Sequence, residues 1–214
     1  MRIFTICPKS FASNTYLLAS KHSAIVIDPS VSVNAITAKL NEENVELKGI
    51  LLTHGHFDHI VSIDTLREHY DVPVYIHKDD ACMLTDGKLN GFYLFFQRDC
   101  VHNPADILFE DGYKIQLDDE IITILHTPGH SKGSCCFIFE DDKAGTSLIT
   151  GDTLFSNSVG RCDLFGGSEA EIERSIKKLF NFNKKAPIYP GHNESSVLGN
   201  ALDNVAYFFD FNNN

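Results

Sequence analysis

At 214 residues, with 43% hydrophobic and 22% charged side chains, the chain is long enough for a folded domain with a core, and too ordinary for collagen, a coiled coil or a disordered segment. Its formal charge of −11 argues against a general nucleic-acid binder, which carries a basic face. No stretch approaches the roughly 20 apolar residues of a membrane span, and residues 1–20 show no charged-then-apolar leader. A soluble cytoplasmic protein, with no nucleic-acid or membrane partner, is the expectation.

Taken in chain order, the pattern predicts strands at 2–7, 15–19 and 24–28, with Asp28-Pro29-Ser30 as an exit turn. A helix follows at 32–43, with Val33, Ile36 and Leu40 at helical spacing, then a buried-type strand at 49–53. Residues 60–70 read as helix and 72–76 as strand, and this alternation implies an α/β architecture. Residues 78–106 are less regular. Their aromatic run Phe92-Tyr93-Leu94-Phe95-Phe96 reads either as a core or interface segment or as a substrate-lining or lid segment.

The second half predicts strands at 113–117, 121–126, 134–139 and 147–150. A helix fits 169–180, with Ser168 as N-cap and Glu171 three residues on. A short strand at 187–189 precedes Pro190-Gly191-His192, and the tail at 212–214 is expected to fray. None of the six cysteines, Cys7, Cys82, Cys100, Cys135, Cys136 and Cys162, forms a C-x-x-C pair. They read as reduced thiols, with the vicinal Cys135-Cys136 pair as strand core.

Four short segments carry the chemistry. They are His54-Gly55-His56-Phe57-Asp58-His59, Thr127-Pro128-Gly129-His130, Gly151-Asp152-Thr153 and Tyr189-Pro190-Gly191-His192, each at or just past a predicted strand end. Strand-end loops can aim polar groups into one cleft while the sheet holds them still. Neutral imidazole and carboxylate suit zinc, and also iron and manganese. Three histidines and a carboxylate between positions 54 and 59 crowd one ion, whereas two ions about 3.5–4 Å apart would use them all. Gly55 is expected to keep space free between His54 and His56. His22, His69, His77, His102 and His126 lack such contexts and read as solvated or hydrogen-bonded side chains.

The ordered set H-x-H-x-D-H, P-G-H, G-D, P-G-H resembles the metallo-β-lactamase superfamily, from about residue 2 to 200. The resemblance implies a four-layer αβ/βα sandwich, two mixed sheets with helices on the outer faces, spanning 1–214 as one domain. It implies a first metal on His54, His56 and His130, a second on Asp58, His59 and His192, and Asp152 bridging both. Two divalent ions are expected, zinc foremost, with iron or manganese as alternatives. They would share a water and lower its pKa from 15.7 toward roughly 7, giving a bridging hydroxide that attacks an ester-like carbonyl, with Asp58 ligating and orienting it.

Within the superfamily, Gly151-Asp152-Thr153-Leu154-Phe155, then Val159-Gly160-Arg161-Cys162-Asp163-Leu164, then Gly166-Gly167-Ser168 resemble short forms of glyoxalase II, hydroxyacylglutathione hydrolase. That implies a thioesterase acting on a small-molecule thioester such as S-D-lactoylglutathione. Arg161 is then a candidate substrate contact, with a salt bridge to Asp163 as the plainer reading. Two features depart from the long-form pattern. The chain is expected to lack the C-terminal helical glutathione-binding domain, and Glu194 stands where those enzymes have a tyrosine. A different thiol carrier fits both. The alternatives are a mononuclear-iron persulfide dioxygenase-like enzyme, another hydrolase such as a lactonase or lactamase, and a metal-bound protein without catalysis.

Overall fold

The computed structural model describes residues 1–7 and 12–209, so the tail at 212–214 lies outside the described residues. Arg2–Ile6 (β1), Thr15–Ala19 (β2) and Ser23–Ile27 (β3) form an antiparallel meander. β2 and β3 are buried along their whole length, so neither needs a solvent-facing polar row. Helix α1 (Val33–Glu43) starts at Ser32, whose side chain accepts from the Ala35 N–H, and it buries Ile36 and Leu40. It leads to β4 (Glu46–Leu51), parallel to β3, and α2 (Ile63–Tyr70) leads to β5 (Val74–His77), parallel to β4.

The expected boundaries at 49–53 and 60–70 shift for one reason. β4 stops at Leu51 and α2 waits until Ile63 because the residues between turn sharply, with His59 N–H bonded to the His56 carbonyl and Ile60 N–H to that of Phe57. The irregular stretch holds two short helices, α3 (Ala81–Leu84) and α4 (Phe92–Phe96). It ends in β6 (Ile107–Phe109), parallel to β5, a strand too short to leave a periodic signal. The aromatic run is α4 and is no part of a core: Tyr93, Leu94, Phe95 and Phe96 are 40%, 60%, 51% and 48% exposed.

In the second half β7 (Lys114–Leu117), β8 (Glu120–His126), β9 (Cys135–Asp141) and β10 (Gly145–Gly151) pair antiparallel in succession. Helix α5 (Glu169–Leu179) is capped as its sequence predicts, Ser168 Oγ accepting from the Glu171 N–H. β11 (Pro187–Pro190) runs parallel to β10. Two elements were not anticipated, β12 (Ser196–Val197) and α6 (Leu198–Ala206). The buried Leu198, Ala201, Leu202 and Val205 have helical spacing, but Gly199 and the scarcity of charge mask the pattern.

The first sheet runs β1-β2-β3-β4-β5-β6 and the second β12-β11-β10-β9-β8-β7, both mixed. Leu18, Ile25, Ile27 and Leu51 of one sheet pack against Ile122, Phe137, Phe139 and Ile149 of the other. Ile36, Ile63 and Leu66 of α1 and α2 cover the first sheet's outer face, and Ile172, Ile176, Leu202 and Val205 of α5 and α6 cover the second's. The result is the four-layer αβ/βα sandwich that the resemblance implies. Successive strand side chains point to opposite faces, so Cys135 joins the core between the sheets and Cys136 the core under α5 and α6. Among the described residues, no helix is long and apolar enough to cross a membrane.

Phe137 is wholly buried between the sheets. Phe137→Ala is expected to lower unfolding free energy by about 3–5 kcal/mol, measured as a shifted urea midpoint at unchanged m-value.

Candidate metal centre

Four strands deliver the side chains. His54, His56, Asp58 and His59 follow β4, His130 follows β8, Asp152 follows β10 and His192 follows β11. Backbone bonds tie these loops together: Cys135 N–H to the Thr53 carbonyl at 2.9 Å, and Gly191 N–H to that of Gly151 at 2.8 Å. The loop before β2 clamps the other side. Ser13 N–H bonds the Asp58 carbonyl, Asn14 N–H bonds that of Gly191, and the Ser30 hydroxyl also donates to the Asp58 carbonyl. All seven candidate residues therefore meet in one place.

The proton positions follow from their partners. His130 Nδ1 lies 2.8 Å from the Arg161 carbonyl oxygen, which only accepts, so Nδ1 carries the hydrogen. His130 Nε2 is then a lone pair, and it points at His56 Nδ1 at 2.8 Å and His54 Nε2 at 3.2 Å. Thr53 Oγ1 gives its hydrogen to Asp28 Oδ2 and so accepts from His54 Nδ1 at 3.0 Å. That turns the His54 Nε2 lone pair inward. His59 Nδ1 donates to Asp28 Oδ2 at 2.8 Å, and His59 Nε2 has no hydrogen-bond partner. His56 Nε2 and Asp152 Oδ1 are likewise buried and unpartnered.

Buried polar atoms without partners are costly, and a cation can satisfy the lone pairs and carboxylate oxygens among them. His54, His56 and His130 bring ligand atoms within 4.8 Å of one another, as do Asp58, His59 and His192. Asp152 reaches between the sets, Oδ2 lying 3.5 Å from His130 Nε2 and 3.6 Å from His192 Nε2, and Oδ1 3.4 Å from His59 Nε2. This donor set fits divalent ions.

Electrostatics divide the cluster. Burial, reinforced by the neighbouring imidazoles, drives His54 well down and His56 to about 3, so both stay neutral with lone pairs available. Burial also opposes charge on His59, but the carboxylates of Asp152, Asp28 and Asp58 outweigh it and raise that imidazole well above its usual range. For Asp58 and Asp152 burial opposes ionisation, and the surrounding histidines, His59 first, overcome it and hold both below the usual carboxylate range. One half offers neutral nitrogens and the other negative oxygens, a field suited to cations.

Two supporting carboxylates were not singled out from the sequence. Asp28, read as part of an exit turn, is buried at a left-handed φ of 49° and accepts from Thr53 N–H, Thr53 Oγ1 and His59 Nδ1. Asp80 is fully buried and accepts from Gly55 N–H, Ser131 Oγ and Gly133 N–H, bracing two loops at once. At Gly55 a Cβ would come within 2.6 Å of Met83 Cβ, so the glycine also makes room for α3. At Gly191 the close approach is to the cluster itself, where a Cβ would strike Asp152 Oδ1 and come within 2.7 Å of His59 Cε1.

A cavity of about 380 Å³ opens onto the cluster, walled by Phe57, Phe95, Phe155 and Leu164 with Asn90 and Arg161. The Arg161 side chain pairs with Asp163 through two bonds of 2.6 and 2.8 Å, the plainer of its two readings, while the residue lines the cavity. The remaining histidines stay outside. His102 bonds Asp64, and His77 stacks on His126 with centroids 4.0 Å apart at 12°. Nearly parallel rings aim their lone pairs side by side, unlike the crossed rings of His54, His56 and His130.

Known proteins resemble this chain in sequence and fold. The family model described as Metallo-beta-lactamase superfamily matches residues 9–192. The probable metallo-hydrolase YqgX of Bacillus subtilis is 35% identical, covering 87% of this chain and 88% of its own length. Among solved structures, the BLEG-1 B3 metallo-beta-lactamase is 31% identical with a TM-score of 0.86, covering 94% of this chain and 96% of that one. TTHA1623, solved in a di-iron-bound form, is 30% identical with a TM-score of 0.76, covering 92% and 96%. With its fold, its ordered histidines and this family match in agreement, the chain belongs to the metallo-β-lactamase superfamily of metal-dependent hydrolases.

Proposed function

We propose that this protein is a binuclear hydrolase of small thioesters, with S-D-lactoylglutathione and related hydroxyacyl thioesters as the substrate type. The observation that carries the reading is the placement of residues 160–163. Gly160 and Arg161 line the cavity, and the Arg161 carbonyl takes the proton that fixes the His130 ring. The segment on which the glyoxalase II likeness rests thus orients a ligand candidate and walls the substrate space.

His54, His56 and His130 would hold one ion, Asp58, His59 and His192 a second, with Asp152 shared. Bound divalent ions, zinc or alternatively iron or manganese, supply Lewis acidity and acidify water enough for it to attack near neutral pH. The di-iron form of TTHA1623 supports a two-ion count. Asp58 is 22% exposed at the cavity, with Oδ2 3.1 Å from His192 Nε2, and would orient the attacking water. Among the described residues, no serine, threonine, cysteine, lysine or tyrosine lines this cavity, and water is the nucleophile that this reading uses. A thioester suits that set. Water's oxygen joins the acyl carbon and its protons pass to solvent, the C–S bond breaks, and sulfur departs as a thiolate that needs little protonation, leaving a carboxylate. Arg161, with Nε and Nη2 held by Asp163, keeps its Nη1 hydrogens for a substrate carbonyl or carboxylate. A second reading, β-lactam hydrolysis, draws on the likeness to BLEG-1.

Metal-loaded protein is expected to hydrolyse S-D-lactoylglutathione, and Asp58→Ala and His56→Ala to lower kcat by at least about 10²-fold. Turnover insensitive to both changes would falsify the mechanism. One iron per chain without thioester turnover would favour the dioxygenase alternative, and activity confined to a chromogenic cephalosporin the lactamase one. Asp28→Asn, which removes the charge and leaves one acceptor oxygen where His59 and Thr53 use two, is expected to weaken metal binding about 10–100-fold, read by chelator competition.

A further inference from the structure

The space beside the metal centre continues past Leu164. That residue also walls a second cavity of about 290 Å³, bounded by Leu89, Tyr93, Leu94 and Phe165 with Lys88 and Asp163. Helix α4 forms one side of both spaces, through Phe95 in the first and Tyr93 and Leu94 in the second. Its five residues are all apolar or aromatic and none is buried, while Phe165 opposite is 46% exposed. A contiguous apolar surface of this kind marks a binding face.

The wall is fixed to the chemistry. Phe57, between the ligand candidates His56 and Asp58, packs against Phe92, Phe95 and Phe96 with centroids 5.6, 5.6 and 5.7 Å away. Its N–H bonds the Asn90 carbonyl, and Asn90 Oδ1 accepts from the Phe92 N–H. Beyond the cluster, the charged side chains of the groove are paired or stacked. Arg161 is paired with Asp163, and the Lys88 ammonium lies over the Tyr93 ring at 5.7 Å. An acidic peptide finds few partners here, whereas an aliphatic chain finds apolar side chains in both cavities, from Phe95 and Leu164 beside the cluster to Leu94 and Phe165.

We propose that this groove, from Phe95 over Leu164 to Leu94 and Phe165, binds the acyl chain, so that the preferred substrates are medium-chain acyl thioesters. The inference rests on the thioester reading above and extends its acyl group from the short hydroxyacyl type to longer aliphatic chains, which the groove prefers. The groove gains affinity by removing methylenes from water, so selectivity for chain length is its signature.

The test uses metal-loaded protein and the acetyl, butyryl, hexanoyl and octanoyl thioesters of N-acetylcysteamine. kcat/KM is expected to rise about two- to fourfold per methylene until the groove is filled. Leu94→Ser and Phe165→Ser, both at exposed positions, are expected to reduce the octanoyl-to-acetyl ratio at least about fivefold. Calorimetry with the octyl and methyl thioethers of the same thiol, which cannot be hydrolysed, reads the groove apart from turnover, and the octyl compound is expected to bind at least about tenfold tighter. Flat kcat/KM across the series with equal thioether affinities overturns the groove and leaves the thioesterase standing. Preferential octyl binding without turnover of any member keeps the groove and removes the thioesterase. A chain-length slope untouched by Leu94→Ser, with that change turning a dimer into a monomer, would assign the face to a second copy and overturn the proposal.

Discussion

The buried imidazoles His54, His59 and His130 each give their N–H to an acceptor outside the cluster, and the rest of the centre depends on that. His54 gives its proton to Thr53, His59 to Asp28 and His130 to the Arg161 carbonyl. Thr53 passes its own hydrogen to Asp28, so one buried carboxylate settles the orientation of two imidazoles. What faces inward from His54 and His130 is a lone pair each, beside the carboxylate oxygens of Asp58 and Asp152. Such a set is destabilising without a cation, which couples metal binding to the stability of the surrounding loops.

The sandwich makes this orientation possible. The loops after β4 and β8 come from one sheet each, those after β10 and β11 from neighbouring parallel strands, and the core between the sheets fixes their separation. Hydrogen bonds such as Cys135 N–H to the Thr53 carbonyl cross from sheet to sheet close to the ligand candidates. Asp80 holds the His54-Gly55 turn against the loop after His130, and Asn14 bonds the Pro190 and Asn193 carbonyls beside His192. A rigid scaffold carries the site on its loops, and buried polar side chains remove the freedom that loops ordinarily have.

Much of this was legible in the chain. β2 at 15–19 and α5 with its Ser168 cap follow directly from burial pattern and capping chemistry. The start of α2 did not, because Ile60 has the right spacing for a helix while its backbone is used in the turns that present Asp58 and His59. β6 and β12 are too short for periodicity. α6 has the spacing, and Gly199 disguised it.

The residue types of the site, their order and their strand-end placement were determined by the sequence, because chelation demands particular side chains and sharp turns demand glycine and proline next to them. Only the tertiary structure decided which nitrogen of each imidazole faces the centre. Two of the acceptors that decide it, Asp28 for His59 and the Arg161 carbonyl for His130, each stand 31 residues away, and no local pattern marks them. The same holds for Phe92–Phe96. Hydrophobicity says that such a run seeks cover, and only the packing around it shows that α4 stays open beside the cavity.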